Sequence, residues 1–118
     1  MIHYVVTRRD LPLGVLGAML IHAAGESSPG NLTEGTYAIA LAVPDEAALI
    51  KLLLRLQRQG LHVTPIHEPD SPFNGQLMSI GIRPAPRSEI ARYLSDVPLL
   101  KDSSGSSKRG PRESVTLV

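Results

Sequence analysis

Histidine and carboxylate side chains are the groups in this sequence that could carry acid–base chemistry. His22 is the only ionisable side chain between Asp10 and Glu26, and it lies in an otherwise apolar stretch. An imidazole in that position could act as a general acid or base, or it could be a core histidine with satisfied hydrogen bonds. Composition alone favours the core histidine, because an apolar helix is usually buried.

A polar loop at residues 67–72 (HEPDSP) offers a second set of reactive groups. Two carboxylates, an imidazole and a hydroxyl are brought together there, on Glu68, Asp70, His67 and Ser71. Two prolines stiffen the loop, and it follows a predicted strand, which is a common location for active sites. A carboxylate there could orient or deprotonate a water molecule. An ordinary polar loop fits the same residues equally well.

Basic side chains that could contact phosphate are spread along the chain. Arg83 precedes a Pro-Ala-Pro sequence that ends a strand and begins a helix, and its guanidinium could bind a phosphate. Lys51, Arg55 and Arg58 share one face of a predicted helix. Such a face is usually solvated and less often an RNA contact.

Composition excludes several classes of protein. The chain has 118 residues, of which 42% are hydrophobic and 19% are charged, so it is predicted to form one globular domain. The absence of cysteine excludes a disulfide scaffold, a thiolate zinc site and a cysteine nucleophile. Aromatic residues make up only 3%, which argues against a module that stacks RNA bases on several rings.

The charge balance and the absence of known motifs exclude further classes of binding protein. Of 12 basic and 11 acidic residues, three basic and two acidic lie at 102–118, so residues 1–101 carry nine of each. Binding to nucleic acid by bulk charge is therefore not indicated. The sequence contains no phosphate-binding glycine loop, no HExxH and no GxSxG, so it predicts no metal and no cofactor. The longest apolar run has 14 residues, against about 20 needed to cross a membrane, so we predict no membrane partner. We also expect a cytoplasmic location.

Hydrophobic periodicity predicts an α/β fold with a mixed sheet. The predicted strands are residues 2–8, 36–43, 62–66 and 76–83, and the predicted helices are residues 13–24, 45–59 and 86–94. The first helix is apolar nearly all round, so we expect it to be buried on most of its surface. Asp45 is predicted to cap the second helix, and Gly60 to end it.

The C-terminal segment differs in composition from the rest. Residues 1–101 are predicted to form the α/β domain, and residues 102–118 a flexible tail rich in serine, glycine and basic residues. The last residues are β-prone, which fits a terminus packed on its own or a neighbouring sheet. Thr116, Leu117 and Val118 also match the C-terminal ligands of PDZ domains, a pattern that often arises by chance.

Four segments together resemble the type-2 peptidyl-tRNA hydrolase family, and most closely its divergent branch of peptidyl-tRNA hydrolase domain-containing proteins. They are residues 8–11 (RRDL), 22–23 (HA), 43–49 (VPDEAAL) and 80–86 (IGIRPAP). Their order and spacing fit across residues 2–101. The resemblance implies a small three-layer sandwich, in which a mixed four-stranded sheet carries helices on both faces. It also implies a homodimer.

The resemblance further implies a reaction, which is hydrolysis of the ester that joins a peptide to the ribose of tRNA. No cofactor is implied. The catalytic residues that it implies are His22, Glu68, Asp70 and Ser71. The tRNA-binding residues that we expect are Arg8, Arg9, Arg83, Lys51 and Arg55. The alternative is a catalytically degenerate relative that binds tRNA or a protein.

The sequence departs from the family pattern at the expected catalytic face. Val15 stands where the family has lysine, and Met19 where it has glutamine. Both share one helix face with His22 by the 3.6-residue period. Loss of the cation could reduce the rate by about 10²–10³, which favours the degenerate alternative. Glu68 or Asp70 takes the place of the family aspartate, and Ser71 is nearest to the family threonine.

Overall fold

The computed structural model describes residues 1–102 and 115–116. Its strands are β1 (Ile2–Arg8), β2 (Tyr37–Val43), β3 (Val63–Glu68), β4 (Gln76–Ile82) and β5 (Val115–Thr116). Its helices are α1 (Leu13–Ser27), α2 (Glu46–Arg58) and the short α3 (Arg87–Ile90), which continues as a 3-10 turn at Ala91–Tyr93. The four long strands and the three helices are those that the periodicity predicts, with shifted ends.

The strands form one mixed sheet in the order β3-β4-β1-β2-β5. β1 is parallel to β2 and antiparallel to β4, while β3 pairs antiparallel with β4. The predicted mixed sheet is therefore confirmed. The two residues of β5 pair with Tyr37 and Ala38 of β2, so part of the predicted tail adds to the edge of the sheet. The PDZ-type prediction depends also on Leu117 and Val118, which lie outside the described residues.

The two long helices lie on opposite faces of the sheet. Leu49, Leu52 and Leu56 of α2 pack with the alternate β1 residues Ile2, Tyr4 and Val6. On the other face, Ala23 of α1 packs with Val5. Successive residues of a strand point to opposite faces, which is why one buried strand can hold both helices. The prediction of helices on both faces is confirmed. Among the described residues, no helix is both long and apolar enough to cross a membrane.

The prediction that α1 is buried on most of its surface is wrong. Only Leu16, Ala23 and Ser27 are buried, while Leu13 and Ile21 keep 84% and 76% of their surface exposed. A helix that packs on a sheet buries one stripe, and nothing in the described part of the chain covers the opposite side of α1. Burial in the core therefore does not explain why Leu13 and Ile21, on the exposed side of α1, are apolar.

A buried hydrogen-bonded pair joins β1 to the end of α1. His3 is 2% exposed, and its Nε2 lies 2.8 Å from Oγ of Ser27. Ser27 donates its hydroxyl proton to the carbonyl oxygen of Ala23 at 2.7 Å. The hydroxyl oxygen therefore accepts a hydrogen bond from His3, whose neutral ring carries its proton on Nε2. Burial lowers the pKa of His3, because it disfavours the charged imidazolium.

We expect this histidine to make stability depend on pH. Its pKa is lower in the folded state than in the unfolded state, so the unfolded chain binds more protons as the pH falls. The contribution of His3 is complete above the unfolded value of about 6.5 and is lost as the pH falls towards the folded value. Urea unfolding between pH 8 and 5 should show that the free energy of unfolding decreases more steeply in wild type than in His3→Gln. Identical slopes in the two proteins would contradict this assignment.

Candidate active site

The face of α1 that carries Val15, Met19 and His22 borders the stripe that packs on the sheet, with Val15 and Met19 half-buried and His22 exposed. The main-chain oxygen of Met19 accepts a hydrogen bond from Oγ of Ser79 at 2.9 Å, which fixes the middle of α1 on β4. Met19 also packs against a small buried cluster that includes Ile66 of β3. These contacts place the expected catalytic face beside the strand that leads into the polar loop.

Strand β3 runs two residues further than predicted and includes Glu68, which is paired with Gln76. Glu68 lies two residues after Ile66, so both side chains point to the face that α1 covers. His22 and Glu68 are therefore on the same side of the sheet. His67, which lies between Ile66 and Glu68, points to the opposite side, and its Nδ1–H donates to the carbonyl oxygen of Gly75 at 3.1 Å.

The loop that joins β3 to β4 is held by its own hydrogen bonds. The main-chain oxygen of Asp70 accepts from the amides of Phe73 and Asn74, both at 3.0 Å. The amide of Asp70 donates to Oε1 of Glu68 at 3.1 Å, which ties the carboxylate to the loop. The side chains of Asp70 and Ser71 are exposed.

Phe73 anchors this loop beside the first half of α1. Its ring packs against the buried cluster of Leu11, Leu16 and Met78, to which Val15 and Met19 also contribute. The loop and the expected catalytic face therefore border the same apolar cluster. The surface between them has an apolar floor at Val15 and Met19, where a positively charged and an amide side chain are expected from the resemblance.

His22 is exposed and is not a core histidine, so the interpretation from composition is wrong. Its side chain is 52% exposed, and Nε2 lies 3.6 Å from Oε1 of Glu26. The buried histidine is instead His3. Glu26 was missed in the sequence, although the i, i+4 spacing of His22 and Glu26 is the signal that could have identified the pair.

Arg8 is buried within a network that closes one end of the sheet. Its Nε and Nη2 donate to the two oxygens of Asp10 at 2.7 and 2.9 Å. Its Nη1 donates to Oε1 of Gln76 at 2.8 Å and to the carbonyl oxygen of Leu77 at 3.2 Å. The hydrogen bond between the two side chains raises the pKa of Arg8 and lowers the pKa of Asp10. The guanidinium is thus directed inward rather than towards a phosphate.

A β-bulge explains why this network is needed. β4 has an extra residue opposite the Ile66–His67 step, so Leu77 turns to the α2 face and the regular ladder is interrupted. Glu46 of α2 accepts a hydrogen bond from the amide of Leu77 at 2.8 Å, while Arg8 binds its carbonyl oxygen. Beside the bulge, both main-chain groups of Leu77 are therefore bonded to charged side chains.

The other predicted tRNA contacts do not form one surface. Arg9 and Arg83 are both exposed, but they follow the ends of antiparallel strands and so lie at opposite ends of the sheet. Lys51 and Arg55 belong to α2, across the sheet from His22. Of these four cations, Arg9 lies at the same end of the sheet as Glu68 and the loop that follows it.

Among residues 1–102 and 115–116, no three histidine or carboxylate side chains are grouped so that they could hold a metal ion. No protein-family model matches the chain, and no curated protein matches its sequence. The resemblance to peptidyl-tRNA hydrolases therefore rests on the four short segments alone.

Proposed function

We propose that the protein hydrolyses the ester between a peptide or aminoacyl group and the ribose of tRNA. The observation that supports this most is the position of His22, which is exposed beside Glu26 on the side of the sheet that carries Glu68. An accessible imidazole beside a carboxylate is the type of group that general acid–base catalysis requires. Arg9 is the cation best located to contact a tRNA phosphate near this face.

In this proposal His22 acts first as a base and then as an acid. The neutral ring takes a proton from water while the water oxygen attacks the ester carbonyl carbon. The imidazolium then returns the proton to the ribose oxygen as the ester bond breaks. Glu26 stabilises the imidazolium, and Glu68 or Asp70 orients the water. A positively charged group for the developing oxyanion is missing at Val15, so we expect slow catalysis.

A second candidate function is binding of tRNA without hydrolysis. The packing of Val15 and Met19 against an apolar cluster favours it, because two half-buried apolar side chains stand where a cation and an amide are expected. Both candidates use the same surface and differ in chemistry alone.

Release of peptide from an N-blocked aminoacyl-tRNA distinguishes the two. We expect wild type to release peptide slowly, and His22→Ala to be about 10²–10⁴-fold slower, since that is the usual contribution of an acid–base group. His62→Ala is the matched control, because His62 is another exposed histidine and lies before β3. No release at high protein concentration, with tRNA still bound, would support the binding function. Equal rates for wild type and His22→Ala would exclude this site.

We also propose that the implied homodimer forms through the exposed side of α1. Leu13, Gly17 and Ile21 follow each other at i, i+4 and i+8, and the helix has no charged side chain before Glu26. In an antiparallel second copy that crosses at Gly17, Leu13 of each copy would contact Ile21 of the other and bury both. The open space beside the α-carbon of Gly17 would allow the helices to approach closely.

The molar mass in solution tests the dimer. We expect light scattering after size exclusion to give a dimer for wild type and a monomer for Ile21→Glu. Ile50→Glu is the matched control, because Ile50 is an exposed isoleucine on the other long helix, at 41% exposure. A monomeric wild type, or a dimer that Ile21→Glu leaves intact, would refute this interface.

A further inference from the structure

A groove with a volume of about 420 Å³ lies between α2, the end of β2 and residues 96–98. It is on the α2 side of the sheet, away from His22, so it is separate from the site proposed above. Its volume is in the range of sites for small molecules. Its lining is mostly apolar and includes Ala42, Val43, Leu52, Val97 and Pro98.

One wall of the groove is held in place by an ion pair. Both terminal nitrogens of Arg55 donate to the carboxylate of Asp96, at 2.8 and 2.9 Å. Nη2 of Arg55 also donates to the carbonyl oxygen of Tyr93 at 3.2 Å. The hydrogen bond from Arg55 lowers the pKa of Asp96, so the carboxylate stays charged at neutral pH. These bonds fasten the turn after α3 to α2 and shape the groove.

Two further cations at the groove have no such partner. Lys51 and Arg58 lie one turn before and one turn after Arg55 on α2, and both line the groove. Within residues 1–102 and 115–116, neither forms an ion pair. Among the described residues that line the groove, Asp96 is the only carboxylate, and it is paired with Arg55. Within the described part of the chain, the charges of Lys51 and Arg58 therefore have no acidic partner at the groove.

We infer that this groove binds a small amphiphilic anion, with its apolar body on the apolar part of the lining and a carboxylate or phosphate head between Lys51 and Arg58. Charged hydrogen bonds to the head and burial of the body would both contribute to affinity. A single-stranded nucleic acid fits less well, because none of the described residues in the lining has an aromatic ring on which a base could stack.

An added β-strand from a partner also fits less well. The edge of β2 beside the groove is already covered, since the amide of Ala42 donates to the carbonyl oxygen of Pro98 at 2.9 Å. The amide of Leu100 donates to the carbonyl oxygen of Ala40 at 3.0 Å. The main-chain groups that an extended peptide would need are therefore used within the chain.

Binding of simple amphiphiles tests the inference. Decanoate and decyl phosphate, as monomers, should bind in calorimetry and shift the amide NMR signals of Ala48, Leu52 and Val97. Decanol, which lacks the charged head, and inorganic phosphate, which lacks the apolar body, should each bind at least about tenfold more weakly. Tighter binding of decanoate or of decyl phosphate would identify the preferred head group. Equal binding of decanol would refute a site for anions.

Variants locate the site. Lys51→Gln and Arg58→Gln should each lower the affinity about tenfold, because each removes a charged hydrogen bond to the head group of the ligand. Both side chains are exposed, so we expect both variants to fold. Arg87→Gln is the matched control for charge, as an exposed arginine on α3. Ile50→Ser is the control for apolar binding, because Ile50 is an exposed isoleucine of α2 that does not line the groove. Unchanged affinity in the Lys51→Gln, Arg58→Gln double variant, or loss of binding in Ile50→Ser, would overturn the inference.

Discussion

Replacing Gly81 by alanine is expected to lower the free energy of unfolding by about 3 kcal/mol. A Cβ atom at this position of β4 would overlap Oγ of Ser27 and the carbonyl oxygen of Ala23. The carbonyl belongs to the backbone of α1, so the whole helix would have to move away from the sheet. That movement would also break the buried hydrogen bond between His3 and Ser27.

Urea unfolding at neutral pH measures this effect, and Gly14→Ala is the matched control. Gly14 is a glycine on the exposed side of α1 with open space where a Cβ would lie. Alanine there should stabilise the helix by up to about 1 kcal/mol. We therefore expect Gly81→Ala to lower the free energy of unfolding and Gly14→Ala to raise it. If Gly81→Ala were as stable as wild type, α1 would lie farther from β4 than described.

Under the proposed function, introducing the residues that peptidyl-tRNA hydrolases carry at two positions is expected to increase ester hydrolysis by about 10²–10³-fold. Val15→Lys with Met19→Gln would add an ammonium and an amide to the face of α1 that carries His22. Both positions are half-buried, so a long side chain can cover the apolar surface and extend its polar end towards solvent. We expect Glu68 or Asp70 to pair with the ammonium, because the loop beside them is anchored by Phe73 against the same apolar cluster.

The same assay with N-blocked aminoacyl-tRNA measures the gain, and Val15→Met with Met19→Gln is the control without the charge. We expect little gain in the control, since the oxyanion would still lack a cation. If the lysine variant instead unfolds, and Glu68→Gln does not change that loss, both positions are core. The surface would then not be a catalytic cleft, and the binding function would be the better interpretation.

The secondary structure could be predicted because its signals are local. Leu49, Leu52 and Leu56 follow the helical period, and the structure buries all three of them. Asp45 was predicted to cap α2, and its Oδ1 accepts from the amide of Ala48 at 2.9 Å. The central strand β1 was recognised from its continuous apolar run, because a strand that is buried on both faces has no polar side to reveal.

The environment of each histidine and arginine could not be predicted in the same way. His22 lies in an apolar stretch yet is exposed, whereas His3 lies in a strand and is buried against Ser27. The difference arises because α1 packs on the sheet through one stripe only, and position 22 lies outside that stripe. Local sequence shows the residue types of a helix but not which of its sides another element will cover.

The sequence by itself determined the order and type of the main elements and the types of side chain that could do chemistry. Only the tertiary structure decided which of these side chains share a surface. It directs Arg8 to the carbonyl oxygen of Leu77 beside the bulge of β4. It places Glu68 on the same face of the sheet as α1, and it puts Lys51 and His22 on opposite faces. Strand order, register and the bulge depend on contacts between residues far apart in the chain, and no local pattern records them.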